Sequence, residues 1–273
     1  MAGEIEAKFW LERPSEIIVQ ALHLDSLVAY DIEQIRSNAR KVSGSEPEVH
    51  DFLDHFYTKT DDSRDYSTKD LDAKVSLQDG AIRYDGKTLK VAVEETKDLT
   101  AEYQGFMRLL KAFFSGEDKT PGDNLPNKYA IRLREDRATN QVYITLKCKH
   151  GKADEQSEEY EFLVGSKSDA EDFLKSLGYE FRAEKTKVKK QERYSFERDC
   201  VEVHAEINGI EQLGGIKFLE IEAVPKSVEK SPGIDFVYQI ANQIGIQNPN
   251  LDITQGGNRE DRKYWQLQKD TSK

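Results

Sequence analysis

Five short segments of this 273-residue chain place charged residues on alternate positions with apolar residues between them. Glu4, Glu6 and Lys8 alternate with Ile5, Ala7 and Phe9. Arg132 and Arg134 alternate with Ile131 and Leu133, and Lys147 and Lys149 with Leu146 and Cys148. Glu159 and Glu161 alternate with Tyr160 and Phe162, and Glu220 and Glu222 with Leu219 and Ile221. Successive side chains of a strand point to opposite faces, so each segment read as a strand offers one charged and one apolar face. A single strand of this kind ordinarily keeps its charges in water. A whole set, with acid on some strands and base on others, is more than a solvated surface requires. If the sheet closes with the charged face inward, carboxylates and cations line one tunnel, which suits a metal-bound polyanion.

The acidic set is Glu4, Glu6, Glu159, Glu161, Glu220 and Glu222. Carboxylate oxygens suit hard cations such as Mg²⁺ or Mn²⁺. At 4 Å each uncompensated like-charge pair costs ~4 kcal/mol at an effective dielectric near 20. Convergence of these strands therefore calls for a metal. The basic set is Lys8, Arg132, Arg134, Lys147, Lys149, Lys187, Lys189 and Arg193. Arg offers planar, bidentate donors to phosphate, and Lys a compact charge. By itself the run K-T-K-V-K-K reads as an exposed basic edge strand; beside the other cations it reads as part of a phosphate grip.

The elements that must hold these residues begin with a strand over 4–10. A helix opens at Pro14-Ser15 with Ile17, Ile18, Ala21, Leu22 and Leu24 on its apolar side. A strand spans 49–58. Residues 60–127 are rich in turn formers, including Asp79-Gly80 and Asp85-Gly86, and read as an insertion or elaborated segment. Within it lie a small β-meander and a helix near 101–114. A hairpin follows at 128–136 and 141–149, then a strand at 158–165, a helix over 168–177, and strands near 180–198, 200–207 and 216–224. A last helix lies near 233–244, and part of the tail, with Tyr264, Trp265 and Leu267, is expected to dock.

Net charge is −11, with 33% charged and 37% hydrophobic residues. The acid excess argues against non-specific binding to DNA or anionic membrane. No apolar run approaches the ~20 residues that span a bilayer. The N-terminus lacks the features of a signal peptide, and two cysteines are too few for a disulfide framework. A cytoplasmic protein, monomer or homodimer, is expected. Phosphate-binding glycine loops, a G-x-S-x-G elbow and zinc-type His/Cys spacing are all absent from the sequence.

With these residues in view, the chain resembles the CYTH superfamily, also called triphosphate tunnel metalloenzymes. E-I-E-A-K at Glu4–Lys8 is similar to its E-x-E-x-K signature. R-L-R at 132–134, T-L-K-C-K at 145–149, E-Y-E at 159–161 and E-I-E at 220–222 follow in the family's order. The resemblance covers residues 1–59 and 128–267. It implies a single α+β domain over 1–273, a closed eight-stranded antiparallel barrel with flanking helices. It further implies that Glu4, Glu6, Glu220 and Glu222 hold Mg²⁺ or Mn²⁺, with Glu159 and Glu161 as further metal or water ligands. Lys8, Arg132, Arg134, Lys147, Lys149, Lys187 and Lys189 would bind phosphates, and Arg193, which shares the parity of Lys187 and Lys189, is added to them from its spacing. Lys8, Arg132, Arg134, Glu159 and Glu161 form the catalytic group of this reading. The family's aspartate before the last Gly-rich bend is met here by the stretch around His204. The expected activity is metal-dependent hydrolysis of inorganic triphosphate or an organic triphosphate. The alternatives are a class IV adenylyl cyclase that makes cyclic AMP and pyrophosphate from ATP, and a non-catalytic sensor of polyphosphate or a nucleotide.

Overall fold

A computed structural model describes residues 4–12, 29–59, 74–93, 97–115, 128–149, 156–211, 214–225 and 234–247. The helix expected from Pro14 and the docked tail lie outside them. The described strands are β1 (Glu4–Trp10), β2 (Glu48–Lys59), β3 (Val75–Gln78), β4 (Ala81–Tyr84), β5 (Lys87–Ala92), β6 (Lys128–Asp136), β7 (Gln141–Lys149), β8 (Gln156–Val164), β9 (Tyr179–Arg198), β10 (Val201–Ile210) and β11 (Lys217–Pro225). The described helices are α1 (Ile32–Ser43), α2 (Leu99–Ser115), α3 (Lys167–Ser176) and α4 (Ile234–Ile244). Eleven strands are present among the described residues, where the barrel reading requires eight; β3, β4 and β5 fall inside 60–127. The chain divides into two compact units. The first comprises Met1–Phe52, Asp154–Ser157 and Lys187–Lys273, and the second Leu53–Ala153 and Glu158–Thr186.

In the first unit the strand order is β1-β11-β10-β9, and β1 also pairs with β8 at Glu4–Ser157 and Ile5–Gln156. All these printed pairings are antiparallel. Period-two alternation decides which way each strand faces. Ile5, Ala7 and Phe9, Val203, Ala205 and Ile207, and Leu219, Ile221 and Ala223 turn to one side. There they form a core with Ile35 and Ala39 of α1 and Val237, Ile240, Ala241 and Ile244 of α4. Full burial of each larger aliphatic contributes ~1.5–3 kcal/mol. Helix α1 was not expected from the sequence. Asp31 caps it by accepting from the Glu33 and Gln34 backbone N–H groups, and Gly44 ends it at φ 72°. Arg36 of α1 reaches β9, donating from Nε to Glu192 Oε2 at 2.8 Å. Asp199 and Cys200 join β9 to β10 with φ of 53° and 63°, the left-handed pair that a two-residue hairpin turn requires.

In the second unit the order is β2-β6-β7-β8-β5-β4-β3. Ile131, Leu133, Ile144, Leu146, Cys148 and Phe162 share a core with Phe106, Leu109 and Leu110 of α2 and Phe173 and Leu174 of α3. The two Asp-Gly turns join β3 to β4 and β4 to β5, with positive φ at all four residues. Gly105 of α2 lies against Tyr160 of β8, and a Cβ there would stand 2.0 Å from the ring. Among the described residues, no helix is long and apolar enough to cross a membrane.

Candidate functional site

Opposite its core, each unit carries a charged face. In the first unit the register sets side chains in lateral rows across four strands. Lys8 lies opposite Glu220, Glu220 opposite Glu206, and Glu206 opposite Arg193. One row along, Glu6 lies opposite Glu222, Glu222 opposite His204, and His204 opposite Ser195. Directly opposed residues have Cβ atoms ~5 Å apart, so acids meet bases and acids meet acids. Lys8 Nζ is 3.1 Å from Glu220 Oε1. Arg193 Nε donates to Glu206 Oε1 at 2.8 Å, and Lys189 Nζ is 3.7 Å from Glu206 Oε2. Gln191 Nε2 donates to both Glu206 and Asn208, and Asn208 Nδ2 donates to Glu220 Oε2 at 3.2 Å. Lys189 also sits over the Phe52 ring, 5.5 Å from its centroid.

These contacts set opposite protonation preferences on two neighbouring acids. Burial pushes Glu220 upward, Lys8 opposes it, and the nearby Glu6 and Glu206 add to the rise. Burial pushes Glu206 the same way, but Arg193, Lys189 and His204 outweigh it and hold this carboxyl well below the usual range. Glu206 is thus an internally compensated acid, whereas at Glu220 burial outweighs the pull of Lys8 and Lys189. A third row holds Trp10, Phe218, Asn208 and Gln191. Trp10 and Phe218 meet edge to face at 6.4 Å, and Trp10 Nε1 and Gln191 Oε1 are buried without hydrogen-bond partners.

The charged face of the second unit centres on β6, β7 and β8. Arg132 Nη2 donates to Glu159 Oε1 at 2.9 Å and lies 3.8 Å from Glu161 Oε2. Lys147 Nζ is 3.0 Å from Glu159 Oε2, and Thr145 Oγ1 donates to Glu161 Oε2 at 2.6 Å. Burial would raise Glu159, yet Lys147, Arg132 and Arg134 hold it well below the usual carboxylate range. Arg134 makes a forked pair with Asp54 of β2, from Nε at 2.7 Å and from Nη2 at 3.1 Å. Burial acts to lower the Arg134 pKa, but Asp54, with Glu161 and Glu159, leaves it raised.

The structure therefore gathers Glu6, Lys8, Glu220, Glu222, Lys189 and Arg193 on one face of the first unit. It gathers Arg132, Arg134, Lys147, Glu159 and Glu161 on one face of the second. Lys187 is half-buried on β9. Glu4 and Lys149 belong to β1 and β7, and their side chains lie outside the described set. Sequence reasoning missed Asp54 and Thr145 in the second unit and Gln191, Glu206 and Asn208 in the first. A signal for Glu206 was present: Glu202, His204, Glu206 and Asn208 alternate with Val203, Ala205 and Ile207. Among the described residues, no three His, Cys, Asp or Glu side chains are gathered as metal ligands. The acids are turned to protein cations and amides instead.

No family model and no curated protein matches the chain. Among solved structures it is similar to the PH1012 protein of Pyrococcus horikoshii, at 18% identity and a TM-score of 0.43, over 92% of this chain and 97% of that one. It is similar to PH1819 of the same organism, at 16% identity and a TM-score of 0.44, over 90% and 92%. It is also similar to HpAC1 of Hippeastrum, a provisional adenylyl cyclase described with a dominant triphosphatase activity, at 11% identity and a TM-score of 0.41, over 90% and 89%. Likenesses this distant do not bear on what the charged faces do.

Proposed function

We propose that this chain is a divalent-metal-dependent triphosphatase acting on inorganic triphosphate or an organic triphosphate. The observation that supports it most is the pairing on both charged faces of withdrawn carboxylates with Arg and Lys. A polyanion and a hard cation could replace those pairings together. Glu6 of β1 lies directly opposite Glu222 of β11, Glu220 lies two residues along the same strand, and Glu4 continues the alternation, so these oxygens would be the ligands. When bound, the metal would neutralise phosphate charge and acidify a bound water.

The chain's own residues do the positioning. Lys8, Lys189 and Arg193 in the first unit, and Arg132, Arg134 and Lys147 in the second, are the phosphate donors, with Lys149 and Lys187 as further contacts. Asp54 fixes the fork of Arg134, so its donors are oriented before substrate arrives. In the reaction a water oxygen bonds to phosphorus, the bridging P–O bond breaks with its electron pair leaving on the released phosphate, and the proton lost by the water passes to that phosphate or to solvent. Glu159 and Glu161 would orient that water. The closed eight-stranded tunnel is part of the same proposal.

The test is an assay of the purified full chain with Mg²⁺ or Mn²⁺ against inorganic triphosphate, ATP and thiamine triphosphate. Phosphate release from at least one of them, abolished by EDTA, is the expected result. Cyclic AMP and pyrophosphate from ATP would move the reading to a cyclase. Tight triphosphate binding without turnover would make the protein a sensor.

A further inference from the structure

We propose that Thr145 is a positioning residue that makes Glu161, and not Glu159, the acceptor for the attacking water. This inference rests on the triphosphatase reading above and divides the work which that reading gives to the two acids. Arg132 of β6, Thr145 of β7 and Glu159 and Glu161 of β8 all belong to the second unit. Thr145 lies directly opposite Arg132 in the register of β6 and β7. It is 1% exposed, a hydroxyl withdrawn from water among charged side chains. A hydroxyl buried in this way costs free energy unless its hydrogen bonds are answered.

The direction of each bond is fixed by what the partners can do. A hydroxyl has one proton to give and two lone pairs to receive with. Thr145 Oγ1 donates to Glu161 Oε2 at 2.6 Å, so toward Arg132 it can only accept, from the N–H of Nε at 3.4 Å. The relay therefore runs from Arg132 through Thr145 to Glu161, and each link polarises the next. Arg132 Nη2 is given instead to Glu159 Oε1 at 2.9 Å, and it stays 3.8 Å from Glu161 Oε2, beyond hydrogen-bond range. The Thr145 hydroxyl is thus what clamps the Glu161 carboxylate.

The two acids differ in what they have left to offer. Both oxygens of Glu159 are taken, Oε1 by Arg132 and Oε2 by Lys147 Nζ at 3.0 Å. Glu161 has Oε2 engaged with Thr145, and among the described residues no hydrogen bond or ion pair is made to its Oε1. Its side chain keeps 23% exposure. A carboxylate clamped by one oxygen and open at the other accepts a hydrogen bond from water in a set direction. The step itself is unchanged: the water oxygen bonds to phosphorus, the bridging P–O bond breaks with its electron pair on the released phosphate, and the proton lost by the water passes to that phosphate or to solvent. Thr145 touches none of the reacting atoms and acts through Glu161.

The experiment is steady-state phosphate release by the purified full chain with Mg²⁺ or Mn²⁺, on whichever of inorganic triphosphate, ATP and thiamine triphosphate the wild type hydrolyses fastest. The proteins are wild type, Thr145→Val, Thr145→Ser, Glu161→Gln, Glu159→Gln and the double variant Thr145→Val with Glu161→Gln, each checked for native near-ultraviolet circular dichroism. The water is oriented for the chemical step alone, so Thr145→Val should lower kcat by about 10–100-fold with KM unchanged. Thr145→Ser keeps the hydroxyl and should recover most of that loss. Glu161→Gln should also lower kcat at unchanged KM, and adding Thr145→Val to it should cost little more, because the hydroxyl then has no carboxylate to clamp. Glu159→Gln releases Arg132 and Lys147 from their shared acid and should raise KM. If Thr145→Val does not fold, Thr145→Ala replaces it in the comparison with Thr145→Ser. If wild type is an active metal-dependent triphosphatase but the losses of Thr145→Val and Glu161→Gln multiply independently, or Thr145→Val raises KM with kcat intact, the role of Thr145 is overturned and the triphosphatase reading stands. If wild type releases phosphate from none of the three compounds, both fall.

Discussion

Removing either partner of the buried Arg134–Asp54 pair should destabilise the protein far more than removing both. Arg134 is 7% exposed and Asp54 1%, and two hydrogen bonds of 2.7 and 3.1 Å join them. Stranding one member of such a pair costs ~3–5 kcal/mol, mostly because a charge stays buried without its counterion. Each has a fallback partner. Arg132 Nη1 is 3.9 Å from Asp54 Oδ2, and Glu159 and Glu161 act on Arg134. These place the expected cost of Arg134→Ala or Asp54→Ala near the lower end, about 3 kcal/mol each. The double variant buries no unpaired charge at this point and should cost at least ~2 kcal/mol less than the sum, well outside the ~0.3–0.5 kcal/mol scatter of independent sites. Urea unfolding of the four proteins, followed by far-ultraviolet circular dichroism, measures this directly. Strict additivity, or single losses below ~1 kcal/mol, would refute the reasoning. Turnover should not recover in the double variant, because the phosphate donor is still missing. Stability and activity therefore separate in one protein.

Gly105→Ala should destabilise by ~1–3 kcal/mol in thermal or urea unfolding, although Ala is the better helix former by ~1 kcal/mol, because its Cβ would meet the Tyr160 ring at 2.0 Å; a stabilised variant would show that the contact is misjudged. Glu159 and Glu206 are held below the ordinary carboxylate value of 4.5. Their contribution is therefore complete above that pH and lost as pH falls through it toward their folded values. Glu220 is raised, so its protonation on acidification favours the fold. Unfolding free energy measured from pH 7 to 3 should accordingly fall less steeply in Glu206→Gln and more steeply in Glu220→Gln; matching slopes in wild type and both variants would count against these assignments. Glu222→Gln keeps size but removes the charge a cation needs, so Mn²⁺ affinity and phosphate release should fall together, and unchanged metal titration would remove Glu222 from the donor set. Lys147→Ala should lower kcat by ~10²–10³ with a native unfolding midpoint, and full turnover would make its ion pair with Glu159 structural.

The hairpin of β6 and β7 was legible to the residue. Long alternation specifies two-sided strands, and Asn140 at φ 56° supplies the turn. Helix α1 was not, because only Ile35 and Ala39 are fully buried in it. So narrow a stripe among Arg36, Asn38, Arg40 and Lys41 gives little periodic signal, although Asp31 and Gly44 marked both ends. The charged side of each segment could be read from parity alone. What parity leaves open is register, and register chooses partners. That Lys8 faces Glu220, or that Glu206 lies between Glu220 and Arg193, depends on how separate strands slide past one another. Asp54 was hidden for the same reason. Its value comes from Arg134, 80 residues away in sequence.

Along β10, Val203, Ala205 and Ile207 are packed into the core while His204, Glu206 and Asn208 occupy the opposite face. Sequence neighbours here answer to different demands. A substitution at one position threatens how much protein accumulates, and at the next what each molecule accomplishes. The two sets of positions can therefore be varied separately within one six-residue stretch, although Glu206 and Asn208 are themselves buried. The apolar positions accept exchanges of similar volume, and the polar positions can change partners without rebuilding the scaffold. A lineage carrying such strands can change chemistry one alternate residue at a time.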